Sequence, residues 1–128
     1  MSTCRTVFVV DDSEIVRAVA AATLEERGFR VITLDCPRDL GRAFEEARPD
    51  AVLLDAGFPG IASDELCEIA RREGSRAPVI VFSDRPASDL DTLVRAWGAL
   101  GSIPKRSAAS LPSLVDQLLS NGADGATA

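Results

Sequence analysis

Apolar positions in this chain follow two patterns that alternate along its length. Short unbroken runs occur at Thr6 to Val10 (TVFVV), Ala51 to Leu54 (AVLL) and Pro78 to Phe82 (PVIVF), each stopping abruptly at a polar residue. Such runs predict strands buried on both faces, as in a parallel sheet. Phe29 to Leu34 is more mixed, and Ala99 to Ile103 is diluted by Gly101 and Ser102, so both read as edge strands.

Between the strands the period changes to that of an amphipathic helix. Ile15, Val16, Val19, Ala20 and Leu24 mark the first helix, capped by Ser13 and stopped at Gly28. Leu40, Ala43, Phe44 and Ala47 mark the second, which starts near Pro37 and ends before Pro49. The third spans Ser63 to Glu73, with Leu66, Ile69 and Ala70 on one face. Leu90, Leu93, Val94 and Trp97 define the fourth, opened by Pro86 and closed by Gly98, with Trp97 expected in the core. Leu111, Leu114, Val115, Leu118 and Leu119 define the last, with Ser107 or Ser110 as cap and Pro112 in its first turn. One domain over residues 1–120 is expected, with residues 121–128 as a disordered tail.

Strand and helix thus alternate five times, which predicts an α/β fold with a doubly wound five-stranded parallel sheet and helices on both faces. In every such topology the C-terminal ends of the strands share one rim, where ligands of open α/β sheets bind. Asp11, Asp12, Asp55, Ser83 and Lys105 all fall there.

Composition narrows the chemistry. A net charge of -6, with arginines scattered among acids, argues against a nucleic-acid surface. No apolar run approaches the ~18 residues of a membrane span, and no signal-peptide layout opens the chain. The odd set Cys4, Cys36 and Cys67 lacks metal-ligand spacing and suggests reduced thiols, hence a cytoplasmic protein. The chain has no histidine, which excludes His-based triads, bases and metal ligands.

Taken singly, each rim residue has a plain structural reading: Asp12 as a cap, Asp55 as a turn former, Ser83 as a partner for a loop amide. Together they describe a site. Converging carboxylates need a cation or a proton, and an all-oxygen acidic set suits Mg²⁺. One acid is then free to act as nucleophile, while an ammonium and a hydroxyl offset the charge of an incoming phosphoryl group. Lys105 is the only lysine beside thirteen arginines, so a compact point charge in place of a planar fork suggests a geometric need.

From Thr6 to about Leu119 the chain resembles the receiver domains of two-component response regulators, a family with the flavodoxin-like fold of the single-domain chemotaxis regulator. The resemblance rests on the paired acids Asp11 and Asp12, the run Asp55-Ala56-Gly57-Phe58-Pro59-Gly60, Ser83 after the fourth strand and Lys105 after the fifth. It implies strand order 2-1-3-4-5. It also implies that Asp55 accepts a phosphoryl group from a sensor histidine kinase or a histidine phosphotransfer protein. Asp12 and Asp55 would bind Mg²⁺, with Asp11 helping through water and Gly57 through its backbone carbonyl. Ser83 and Lys105 would sense the phosphate. Such a receiver catalyses its own phosphorylation and dephosphorylation but is not a multi-turnover enzyme, and it acts by switching protein contacts.

Three positions depart from the family pattern. Ser102 stands where receivers usually carry an aromatic residue three before the lysine, and Arg106 where proline usually follows it. Asp84 occupies a place after the hydroxyl that is normally small. A carboxylate there should repel an anionic donor, so Asp84→Ala should take phosphate from acetyl phosphate faster than wild type. With Gly57 offering no side chain, Arg85 is the candidate to guide or obstruct an attacking water. These departures favour an alternative reading as a phosphorylation-independent interaction scaffold. A small aspartate-nucleophile phosphatase would need two acids spaced by one residue after the first strand, which Asp11-Asp12-Ser13 lacks. No Gly-rich loop ending in Gly-Lys-Ser/Thr occurs, so nucleotide hydrolysis is not expected.

Overall fold

The computed structural model describes residues 4–127. Five parallel strands, β1 (Thr6–Val10), β2 (Arg30–Leu34), β3 (Ala51–Leu54), β4 (Val79–Phe82) and β5 (Gly101–Ile103), form one sheet in the order β2-β1-β3-β4-β5. This is the predicted doubly wound, flavodoxin-like arrangement, and the three continuous apolar runs occupy its three central places. The connecting helices are α1 (Glu14–Glu26), α2 (Leu40–Glu46), α3 (Ser63–Gly74), α4 (Ala87–Trp97) and α5 (Leu111–Thr127).

Successive side chains of a strand point to opposite faces, and the core divides accordingly. Phe8, Val10, Val52, Leu54, Val79 and Val81 pack on one side against Leu40 of α2, Leu66 and Ile69 of α3, and Leu90 and Trp97 of α4. Val7, Val9, Leu53, Ile80, Phe82 and Ile103 pack on the other against Ala20 and Leu24 of α1 and Leu111 and Val115 of α5. Each fully buried aliphatic side chain contributes roughly 1.5–3 kcal/mol.

Helix ends follow the local chemistry. Ser13 caps α1 by accepting the Val16 N–H at 3.2 Å, and Gly98 closes α4 in the left-handed region at φ 66°. Pro37 opens a single 3₁₀ turn, Pro37–Asp39, before α2 starts at Leu40. A second 3₁₀ segment, Lys105–Ser110, precedes α5, so Ser107 and Ser110 both lie inside it and Ser110 stands directly before Leu111.

Two differences from the sequence expectation matter. The stretch from residue 121, expected as an irregular tail, continues the backbone of α5 to Thr127, as extending a formed helix is far easier than nucleating one. Residue 128 lies outside the described residues. On α1, the apolar stripe is only partly internal: Ala20 and Leu24 are buried, whereas Ile15 is 76% and Val19 46% exposed. Ile15 and Val19 lie toward the rim, where they border a shallow depression with Val16, Phe82, Lys105 and Ala108. Among the described residues no helix is long and apolar enough to cross a membrane.

Candidate functional site

Hydrogen bonds that carry the sheet one residue past its strands bring the polar residues to the rim. The Asp11 N–H donates to the Leu34 carbonyl, the Asp55 N–H to the Val10 carbonyl and the Ser83 N–H to the Ile103 carbonyl, each at 3.1 Å. Asp11 and Asp55 therefore stand side by side at the ends of β1 and β3. Asp11 is fully buried, and its Oδ1 accepts the Ser13 N–H at 2.9 Å, which links the acid to the residue that caps α1. Asp12 is exposed beside it. Carboxylate oxygens of Asp11, Asp12 and Asp55 lie within 4.8 Å of one another.

Lys105 supplies the countercharge. Its ammonium lies 2.7 Å from Asp11 Oδ2 and 3.2 Å from Asp55 Oδ1. The first distance is that of a strong ion pair, yet the approach misses hydrogen-bond geometry, so Asp11 Oδ2 is held by charge and accepts no directed bond. Burial disfavours the Lys105 charge, but the contact with Asp11 and the charges of Asp55 and Asp11 outweigh it and raise its pKa. Asp55 moves the other way for a carboxylate: burial, then the charge of Asp11, raises its pKa against the opposing pull of Lys105 and the Ala56 N–H. The Ala56 N–H donates to Asp55 Oδ1 at 2.7 Å, so both contacts of this acid fall on the same oxygen.

Ser83 and Gly57 lie at the same rim. Ser83 is buried, and its Oγ accepts the Arg85 N–H at 3.2 Å. Gly57 follows Asp55 by two residues, and a Cβ built there would lie 3.2 Å from Arg85 Nη2. Arg85 thus fills the space that a side chain at 57 would need.

Two arrangements escaped the sequence reading. Arg17 Nη1 donates to the Asp11 carbonyl at 2.7 Å, fastening the β1–α1 loop beneath the acids. A cation near the start of a helix opposes the helix dipole, and that misfit was the available signal for a tertiary partner. Asp84 is bonded to Arg106, whose N–H donates to Asp84 Oδ1 at 2.9 Å and whose Nη1 lies 3.5 Å from the same atom. The carboxylate at 84, expected to repel an anionic donor, therefore has a cation beside it that offsets part of its charge.

The acidic set fits a magnesium ion by its own chemistry. It is all oxygen, and it combines one buried and one exposed acid with the nearly buried Asp55. Mg²⁺ takes one or two carboxylates and keeps several waters, which such a half-open cluster allows. Asp12 and Asp55 are the residues that would ligate it directly, with the buried Asp11 behind them.

The chain matches the response regulator receiver domain family over residues 7–116. It is 31% identical over 87 residues to the transcriptional regulatory protein AfsQ1 of Streptomyces coelicolor, covering 68% of this chain and 38% of that protein. It is 35% identical over 88 residues to the transcriptional regulatory protein CseB of Streptomyces avermitilis, covering 69% of this chain and 37% of that one. The chain thus spans less than two fifths of these relatives. Among solved structures, a response regulator from Thermotoga maritima superposes with a TM-score of 0.79 at 27% identity, covering 92% of this chain and 99% of that one. The chemotaxis response regulator CheY4 of Vibrio cholerae shares the fold with a TM-score of 0.77 at 23% identity, covering 91% and 99%. With its fold, its rim of acids and its single lysine, this chain belongs to the response regulator receiver domains.

Proposed function

We propose that this chain is a phosphorylation switch that accepts a phosphoryl group on Asp55 from a phosphohistidine of a sensor histidine kinase or phosphotransfer protein. The observation that carries the reading is the chain's single lysine, half-buried and held between Asp11 and Asp55. With Asp55 Oδ1 engaged by Lys105 and the Ala56 N–H, Oδ2 is the oxygen available to attack phosphorus. The phosphorus–nitrogen bond of the donor breaks as the new phosphorus–oxygen bond forms, and the leaving imidazole takes up a proton. Bound to Asp12 and Asp55, Mg²⁺ would neutralise carboxylate charge and polarise the phosphoryl oxygens. Lys105 then turns from Asp55 to a phosphoryl oxygen as a point charge, and Ser83 donates its hydroxyl proton to another.

The exposed apolar pair Ile15 and Val19 beside Lys105 supports a protein donor, since a small acyl phosphate has no use for such a surface. Free Cys4, Cys36 and Cys67 fit a cytoplasmic setting. The product is an altered protein surface and not a released chemical, so the chain acts once per phosphorylation rather than as a multi-turnover enzyme. Intact-protein mass spectrometry after incubation with acetyl phosphate and Mg²⁺ tests the reading. Wild type should gain one phosphoryl group and Asp55→Asn none; if wild type gains none, a phosphorylation-independent scaffold replaces this reading.

A further inference from the structure

Ser83 and Lys105 are each followed by a charged residue, and those two followers are bonded to each other. The Arg106 N–H donates to Asp84 Oδ1 at 2.9 Å, with the guanidinium 3.5 Å from the same oxygen. The guanidinium contact joins exposed groups and contributes little. The backbone bond differs: it is charge-assisted, its donor needs no side-chain ordering, and proline at 106 could not make it. It spans the two loops that carry the hydroxyl and the ammonium. Ser83 N–H donates to Ile103 just before this bond, and Ser83 Oγ accepts the Arg85 N–H just after it, so Asp84 stands between the contacts that orient Ser83. The strand leading to Lys105 is only three residues long and includes Gly101 and Ser102, so β5 alone anchors that loop weakly.

We propose that Asp84 and Arg106 are positioning residues for phosphoryl binding, tying the Ser83 loop to the Lys105 loop so that hydroxyl and ammonium are presented at one fixed spacing. This rests on the reading of Asp55 as phosphoacceptor. Asparagine at 84 keeps the acceptor oxygen and loses the charge, whereas alanine loses both. Comparing the two cancels any gain from removing a negative charge and reads the tie alone.

Beryllofluoride with Mg²⁺ serves as the phosphoryl probe, titrated by fluorine NMR on the full chain. Asp84→Asn should bind it about fivefold more tightly than Asp84→Ala, as expected for one neutral hydrogen bond near the surface. Arg106→Pro, which removes the donor and leaves the Asp84 carboxylate unopposed, should bind the probe no more tightly than the alanine variant. In a Ser83→Ala background the Asn-to-Ala ratio should fall below about twofold, because a positioning effect disappears with the group it positions. A merely stabilising contact would keep the same ratio in both backgrounds. Amide exchange without probe supplies an independent measure: the Arg85 N–H should exchange faster in Asp84→Ala than in Asp84→Asn. Equal affinities of the two variants, or a ratio that survives Ser83→Ala, overturn the proposal. Wild-type protein that binds no beryllofluoride overturns the phosphoacceptor reading itself, and that failure is visible before any variants are compared.

Discussion

Replacing Lys105 with methionine keeps most of the aliphatic stem and removes the one cation that the buried acids share. At an effective dielectric of ~20, the contacts at 2.7 and 3.2 Å represent gross attractions of about 6 and 5 kcal/mol. On the same basis Asp11 and Asp55, with oxygens no more than 4.8 Å apart, repel by at least about 3.5 kcal/mol. Much of the attraction is offset by the desolvation of the ammonium, and the Lys105 side chain is still 23% exposed. The low end of the cost of orphaning a buried charge, about 3 kcal/mol, is therefore the expected loss in metal-free buffer at pH 7. For a domain of this size that lowers the melting temperature by roughly 10–15 °C. Two remedies should restore most of it: millimolar Mg²⁺, which replaces the missing cation, and acid, which protonates the Asp55 carboxyl whose pKa is already raised. Thermal unfolding in EDTA, in Mg²⁺ and across the acid range measures all three. A loss that persists unchanged in Mg²⁺ and at low pH would mean that Lys105 acts through packing and not as the counter-ion of the acids.

Asp55→Asn should stabilise the metal-free protein at neutral pH. The folded pKa of Asp55 lies above its ordinary 3.8, so its favourable contribution is complete below 3.8 and is lost as pH rises through the folded value. The melting-temperature gap between variant and wild type should therefore open across that window and close again in acid. Ile15→Ser, at a site 76% exposed, should leave the melting temperature within about 2 °C and the rate with acetyl phosphate within about twofold. It should slow transfer from a phosphorylated partner protein by about tenfold or more, and equal slowing with both donors would refute a docking role. Arg17→Met should cost about 1–2 kcal/mol in denaturant unfolding, through the lost charge-assisted bond to the Asp11 carbonyl.

Period carried the fold. Unbroken runs such as TVFVV and AVLL have no polar face to turn outward, so their burial on both sides and their central places in the sheet were readable from the residues alone. The acids and the lysine were readable for a related reason: five strand ends on one rim leave little freedom in where their next residues go. What period cannot show is which partner meets a residue after the chain has turned. Ile15 precedes Leu24 by nine residues, about half a turn round α1, so with Val19 it lies on a different side of the helix from Ala20 and Leu24, which are buried. Asp84 and Arg106 are separated by 22 residues and lie in different loops, so each looked like an isolated departure. The Arg106 donor is a backbone group, which no side-chain pattern records. The two departures are one feature: a carboxylate at 84 gains its partner because residue 106 is not proline. A double-substituted chain with alanine at 84 and proline at 106 should therefore bind beryllofluoride no more weakly than either single variant, since the second change removes nothing that the first has left.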